Sequence, residues 1–295
     1  MPECHLLTGA VPCTMSVNPQ VSIWNEEVGS AWVTHADHFD ASLKPYGEAV
    51  MHALSVQAGE RVLDVGCGAG ASTLQLAVAA APGTVLGVDL SRPMLGLAAH
   101  RAATRGITNV SFSEHDVEAV PLAAATFDVA FSRLGVMFFT DPVRAFTHIR
   151  ESLVGGGRLG FVCFQMPFDN PFIVVPIMAA APSLKMGPPP SLTEPGPFSF
   201  ADPARVTHIL ESAGFGSVAI EPGPTSMDLG VADDLSVMAL RLLEQNPSTA
   251  EAFAVATPAA QADAVAAAAE ALAPHVVDGR VTMAAATWIV TAKNT

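Results

Sequence analysis

Basic residues are scarce in this sequence: 14 Lys and Arg stand against 28 Asp and Glu in 295 residues, a formal charge of −14. Such a surface disfavours nucleic acid or an anionic membrane as a general partner. Paired cysteines are also missing. Cys4, Cys13, Cys67 and Cys163 show neither C-x-x-C nor Cys/His ligand spacing, so neither a disulfide framework nor a metal site is expected, and reduced thiols in a cytoplasm fit. The longest uncharged apolar run, 171–184, is broken by Pro176 and Pro182 and is too short to span a bilayer. No Lys or Arg precedes Lys44, so the basic start of a secretory signal is lacking. Apolar residues are plentiful: half the chain is hydrophobic, enough to bury one large core.

One stretch concentrates the chemistry, Arg61-Val62-Leu63-Asp64-Val65-Gly66-Cys67-Gly68-Ala69-Gly70-Ala71. Val62, Leu63 and Val65 predict a buried parallel strand, which the alternate glycines break before a helix over Ser72 to Ala81. Glycines there allow a tight turn and close backbone approach, and the helix start attracts a negative group. Gly66-x-Gly68-x-x-Ala71 also matches the dinucleotide fingerprint. Asp64, two residues before the first glycine, tilts the reading. A carboxylate there repels a pyrophosphate but pairs with an ammonium, such as that of S-adenosylmethionine (SAM).

Residues 1–20 lack periodicity and read as a flexible leader, with a single domain over 21–295. Trp24, Val28, Trp32, His35 and Phe39, spaced by three or four, predict one helix from Ser22, and a second is expected over Pro45 to Ser55. This helical pair, 22–55, either packs on the nucleotide fold or closes over its open edge as a lid. A second strand, Val85 to Val88, ends at Asp89, beyond a strand's carboxyl end and well placed for ribose hydroxyls; Ser91 caps the next helix. A third, Val110 to Phe112, leads to His115-Asp116-Val117, where a carboxylate can accept from an adenine amino group. A fourth, Phe127 to Phe131, runs into Ser132 to Phe139, facing the reactive centre.

Asp141-Pro142 then opens a helix, Gly155-Gly156-Gly157 closes it, and Arg158 to Phe164 supplies a fifth strand. Residues 165–200, with nine prolines, read as a cover over the substrate. A helix from Pro203 and a strand at Val218 to Ile220 restore the alternation. A second insertion, 226–275, carries a helical stripe from Leu235 to Leu243 and an alanine-rich helix after Thr257-Pro258, suited to packing or to a homodimer contact. Ala286 to Ala292 form the final strand.

The order of these elements, with the glycine motif, Asp89, His115-Asp116-Val117 and the triple glycine, resembles class I SAM-dependent methyltransferases. Within them it is similar to the ubiquinone-biosynthesis-like, or type 11, branch, and the matching motifs span about half the chain. The resemblance implies an α/β, Rossmann-like sheet of seven mostly parallel strands with helices on both faces and the last strand inserted antiparallel, plus helical lid insertions. It implies SAM as cofactor, with Asp64, Gly66, Gly68, Asp89, Asp116, Val117 and Ser132 around it; Cys67, Leu90 and Met94 complete the expected set.

A sulfonium methyl is already electrophilic, so the protein's main task is in-line placement of a nucleophile with water excluded. The apolar 165–184 segment and Val136 to Phe139 point to a hydrophobic or aromatic small molecule as acceptor, a secondary metabolite or an indole- or quinone-like ring. Trp24, Trp32, Met137, Phe138, Phe168 and Phe172 are the expected acceptor contacts. His35, His38 and His115 could take a proton, with His38 preferred for its place near the lid stripe. A SAM-binding protein without methyl transfer, cyclase-like or binding-only, and an NAD-dependent oxidoreductase are the other readings of the same turn.

Overall fold

The computed structural model describes residues 18–295; Cys4, Cys13 and the leader up to residue 17 lie outside them. The predicted leader ends earlier than residue 20. Asn18 caps α1 (Pro19–Asn25), its side chain accepting from Gln20 N, and also donates to Asp116 at 3.0 Å. The expected single helix from Ser22 is split at Glu26 and His35 into α1, α2 (Glu27–Thr34) and α3 (Ala36–Leu54). No break occurs before Pro45, which sits inside α3. A proline there loses a hydrogen bond and costs about 3 kcal/mol. Phe39, Leu43, Tyr46, Val50 and Leu54 bury one face of that helix; at about 2 kcal/mol for each large apolar side chain, burial outweighs the proline.

Next come β1 (Val62–Val65), α4 (Ala71–Ala80), β2 (Val85–Asp89), α5 (Arg92–Thr104), β3 (Val110–Glu114), β4 (Phe127–Arg133), a 3-10 turn at Val136–Phe138, α6 (Pro142–Ser152) and β5 (Leu153–Phe164). β1 is buried along its whole length, the pattern of a central parallel strand covered on both faces. The triple glycine does not close α6, which ends at Ser152; it lies inside β5, which begins at Leu153.

The proline-rich 165–200 segment contains a true helix, α7 (Pro171–Leu184), with Pro176 and Pro182 inside it. After α8 (Pro203–Ser212) and β6 (Gly216–Pro222), the second insertion holds β7 (Ser226–Val231), α9 (Leu235–Glu244), α10 (Pro247–Ala254), α11 (Pro258–Leu272), β8 (Val276–Val277) and β9 (Arg280–Ala284), and β10 (Thr287–Lys293) follows. The small antiparallel sheet β7-β9-β8 and the helix α10 were not expected from sequence.

The main sheet has seven strands in the order β3-β2-β1-β4-β5-β10-β6. β10 lies antiparallel between β5 and β6, and β1 pairs in parallel with both β2 and β4. Strand order therefore reverses between β1 and β4, where a crevice opens beyond their carboxyl ends. α1 to α3 and the α7/α9/α11 cluster lie around that end. Among the described residues no helix is long and apolar enough to cross a membrane, and no cluster of His, Cys, Asp or Glu could hold a metal ion.

Candidate active site

The turn after β1 is a backbone device. Gly66, Gly68 and Gly70 have φ of 69°, 52° and 82°, where other residues are strained. A Cβ on Gly66 would come within 2.9 Å of Gly135 Cα, so the turn and the loop after β4 meet backbone to backbone. The turn's donors point into the protein. Gly66 N and Cys67 N donate to Val88 O at 2.9 and 3.1 Å, and Gly70 N donates to Cys67 O at 3.0 Å. Gly68 N donates to one Asp89 carboxylate oxygen and Ser91 N to the other, each at 2.8 Å. Asp89 thus ties the turn to the end of β2, and its oxygens retain lone pairs for further donors.

Carboxylates line the crevice beside this turn. Asp64 is 1% exposed and accepts from Thr73 Oγ1 at 2.7 Å. Burial pushes its pKa up to about 7, against the Thr73 bond and the charge of Arg133, with Asp89 adding to the rise. Burial also raises Asp89, opposed by the N–H donors of Ser91 and Gly68. Asp116, just past β3, accepts from Glu118 N at 2.9 Å. Arg133 is the one cationic side chain in this wall, and its charge is shared with Asp40 at 3.1 Å, which Arg101 also holds at 2.8 Å. Arg101, on α5, donates as well to Ala69 O at 3.0 Å, so it bridges α3 to the glycine turn.

A second chamber adjoins the first, and Trp32, Phe39, Leu43, Leu134 and Phe138 belong to both walls. The first encloses about 1070 Å³ of empty space open to solvent and the second about 810 Å³. The second is walled by apolar groups, among them Met137, Phe164, Phe172, Met227 and Leu242, with His38 as its ionisable member. Trp32 stacks on Phe39 at 4.4 Å and Trp24 meets Phe138 edge-on at 5.0 Å, so the passage between chambers is aromatic. Burial and then Arg241 and His35 bring the His38 pKa down to about 4, against the pull of Asp228. The imidazole is therefore neutral at neutral pH and can accept a proton.

Of the ten cofactor residues expected from sequence, Asp64, Gly66, Cys67, Gly68, Asp89, Leu90, Met94, Asp116 and Val117 all line the first chamber. Ser132 does not; it is fully buried behind the wall, where its Oγ accepts from Gly135 N at 3.3 Å. Trp32, Met137, Phe138 and Phe172, expected from sequence as acceptor contacts, line the second chamber, whereas Trp24 lines only the first. Phe168 is 92% exposed on a 3-10 turn and borders neither chamber. His35 faces a separate surface cleft, 4.0 Å from Glu244, and His115 lines the first chamber. Gln20, Asp40 and Glu118 were missed, since only long-range pairs such as Asp40 with Arg133 bring them there.

Residues 62–157 match the family model described as a methyltransferase domain. That domain runs from β1 into β5 and supplies most of the first chamber. The chain is 34% identical over 118 residues to aklanonic acid methyltransferase DauC of Streptomyces sp. strain C5, covering 40% of this chain and 54% of that protein. It is 34% identical over 137 residues to demethylmenaquinone methyltransferase of Thermus thermophilus, covering 46% and 61%. It thus spans about half the length of the curated relatives it matches. The solved structure of the [4+2]-cyclase SpnF aligns with a TM-score of 0.52 at 20% identity over 91% of this chain and 96% of that one. A shared fold therefore does not by itself choose the reaction.

The first chamber fits SAM better than a dinucleotide. A pyrophosphate needs free N–H donors at the turn; those of residues 66, 67, 68 and 70 are already bonded within the protein, which leaves the start of α4. Buried carboxylates favour a ligand that carries positive charge.

Proposed function

We propose that this protein transfers a methyl group from SAM to a small apolar or aromatic acceptor. The observation that carries the reading is the pairing of an acidic chamber, lined by Asp64, Asp89 and Asp116, with an apolar chamber reached past Trp32 and Phe138. Asp64 would hold the ammonium, Asp89 the ribose hydroxyls, and Asp116 with Val117 the adenine. Bound SAM supplies a methyl carbon that is already electrophilic.

The residues' work is then placement and drying. Phe39, Leu43 and Leu134 join the two aromatic rings in keeping the passage apolar, Met137 and Phe172 press on the acceptor, and neutral His38 accepts the proton that an O–H, N–H or acidic C–H acceptor loses. The names of the two curated relatives support a ring-containing acceptor, and the apolar lining agrees with it. Calorimetry with S-adenosylhomocysteine tests the donor half of the reading: it should bind while NADH does not, and the reverse would overturn SAM as cofactor. Radiolabelled SAM in a producing-cell extract tests transfer. Donor binding with no labelled product would leave a binding or cyclase role.

A further inference from the structure

His38 stands in two walls at once. It lines the apolar second chamber and also an open cleft between the α2–α3 junction and α5, beside His35 and His100. Its seat is made by a glycine. A Cβ on Gly230 would lie 3.2 Å from His38 Cε1 and 3.6 Å from Nδ1, and Gly230 has φ +101°, so glycine suits the site on both counts. Gly230 follows a register irregularity in the pairing of β7 with β9, and its N–H donates to Asp228 at 2.9 Å. Asp228 is itself held by Arg280 at 2.6 Å.

We infer that His38 is a two-sided proton relay, taking the acceptor's proton in the apolar chamber and giving it to water in the cleft, with Gly230 as the residue that positions its ring. The inference rests on the methyl-transfer reading. In the step, the acceptor's bond to hydrogen breaks, its electron pair stays on the acceptor atom that bonds the methyl carbon, and the methyl carbon's old bond to the donor sulfur breaks with its pair leaving on that sulfur. The proton passes to an imidazole nitrogen and then to a cleft water, so it never crosses the acidic donor chamber. The charged and titratable groups acting on His38 are His35, Arg241 and Asp228. Arg241 has its Nε buried without a hydrogen-bond partner, so its charge is little compensated and opposes a lasting imidazolium. A base that cannot keep its proton needs an outlet, and the cleft supplies one.

The probe is 2-naphthol, an apolar ring that becomes a strong acid on excitation and emits at longer wavelength once deprotonated. It is bound to the full chain, and its seating in the chamber is read by energy transfer from Trp32 against Trp32→Phe. His38→Ala should lower the naphtholate-to-naphthol emission ratio by roughly fivefold or more, and added imidazole, entering by the cleft, should restore it. Gly230→Ala should lower the ratio without weakening naphthol binding. An unchanged ratio in His38→Ala overturns the relay, as does a lost ratio that imidazole fails to restore. Failure of 2-naphthol to seat in the chamber overturns the acceptor reading and the relay with it. S-adenosylhomocysteine calorimetry on the same samples reports the donor site separately, so the two failures are distinguishable.

Discussion

The two chambers are built in opposite ways. The first chamber, proposed for the donor, is made of backbone and carboxylates at the ends of β1, β2 and β3, with its glycines in left-handed conformations and their N–H groups bonded inward. The acceptor chamber is made of side chains from α2, α3, the loop after β4, α7, β7 and α9. A backbone turn admits few alternatives, because a Cβ at Gly66 would strike Gly135. A wall of apolar side chains tolerates exchange of size and shape, provided volume is kept. Under the proposed reading, the first chamber is the more constrained, while the second can be reshaped for a new acceptor with little effect on the first.

That contrast can be broken experimentally. The largest effect is expected from Asp89→Ala, which removes the anchor of the glycine turn and a charged acceptor. A loss of about 3 kcal/mol, or about a hundredfold in S-adenosylhomocysteine affinity by calorimetry, should leave 2-naphthol binding unchanged; a parallel loss of both would mean that the chambers are not independent.

A smaller effect follows from Asp64. Its folded pKa is about 7, above its ordinary value of 3.8, so the ligand's ammonium must displace a proton at low pH. Affinity should rise as pH increases from 6 to 8, by about tenfold per unit below the pKa, and Asp64→Asn should flatten the profile. The same group should make the unliganded fold less stable as pH rises through the window from about 4 to 7, since the folded state holds the proton more tightly than the unfolded one. Melting temperatures of wild type and Asp64→Asn across that window check the sign. The smallest effect is expected at Phe168→Ser, where an exposed side chain in neither wall should change stability by less than about 0.5 kcal/mol and neither ligand's affinity.

Legibility in the sequence divides along the same line. Asp64, Gly66, Gly68, Asp89 and Asp116 were readable because each occupies a fixed place relative to a predicted strand end, and parallel sheets put all such ends on one side. Trp24 and Trp32 were readable as a stripe, but not that Trp24 lines the first chamber alone and Trp32 both, because the breaks at Glu26 and His35 leave no strong signal. Phe168 looked like an acceptor contact by composition, yet a 3-10 turn carries it outward. Arg133 and Asp40, 93 residues apart, could not be paired from sequence, nor could His38 and Gly230.

What the sequence by itself determined was the sheet, the glycine turn and the three carboxylates beside it, since local propensity and strand periodicity fix these within short spans. What only the tertiary structure decided was the acceptor chamber, the latch of α3 to the turn through Asp40 and Arg101, and the placing of His38 between chamber and cleft. Those depend on contacts between segments far apart in the chain, where side-chain shape and burial, rather than spacing, select the neighbours.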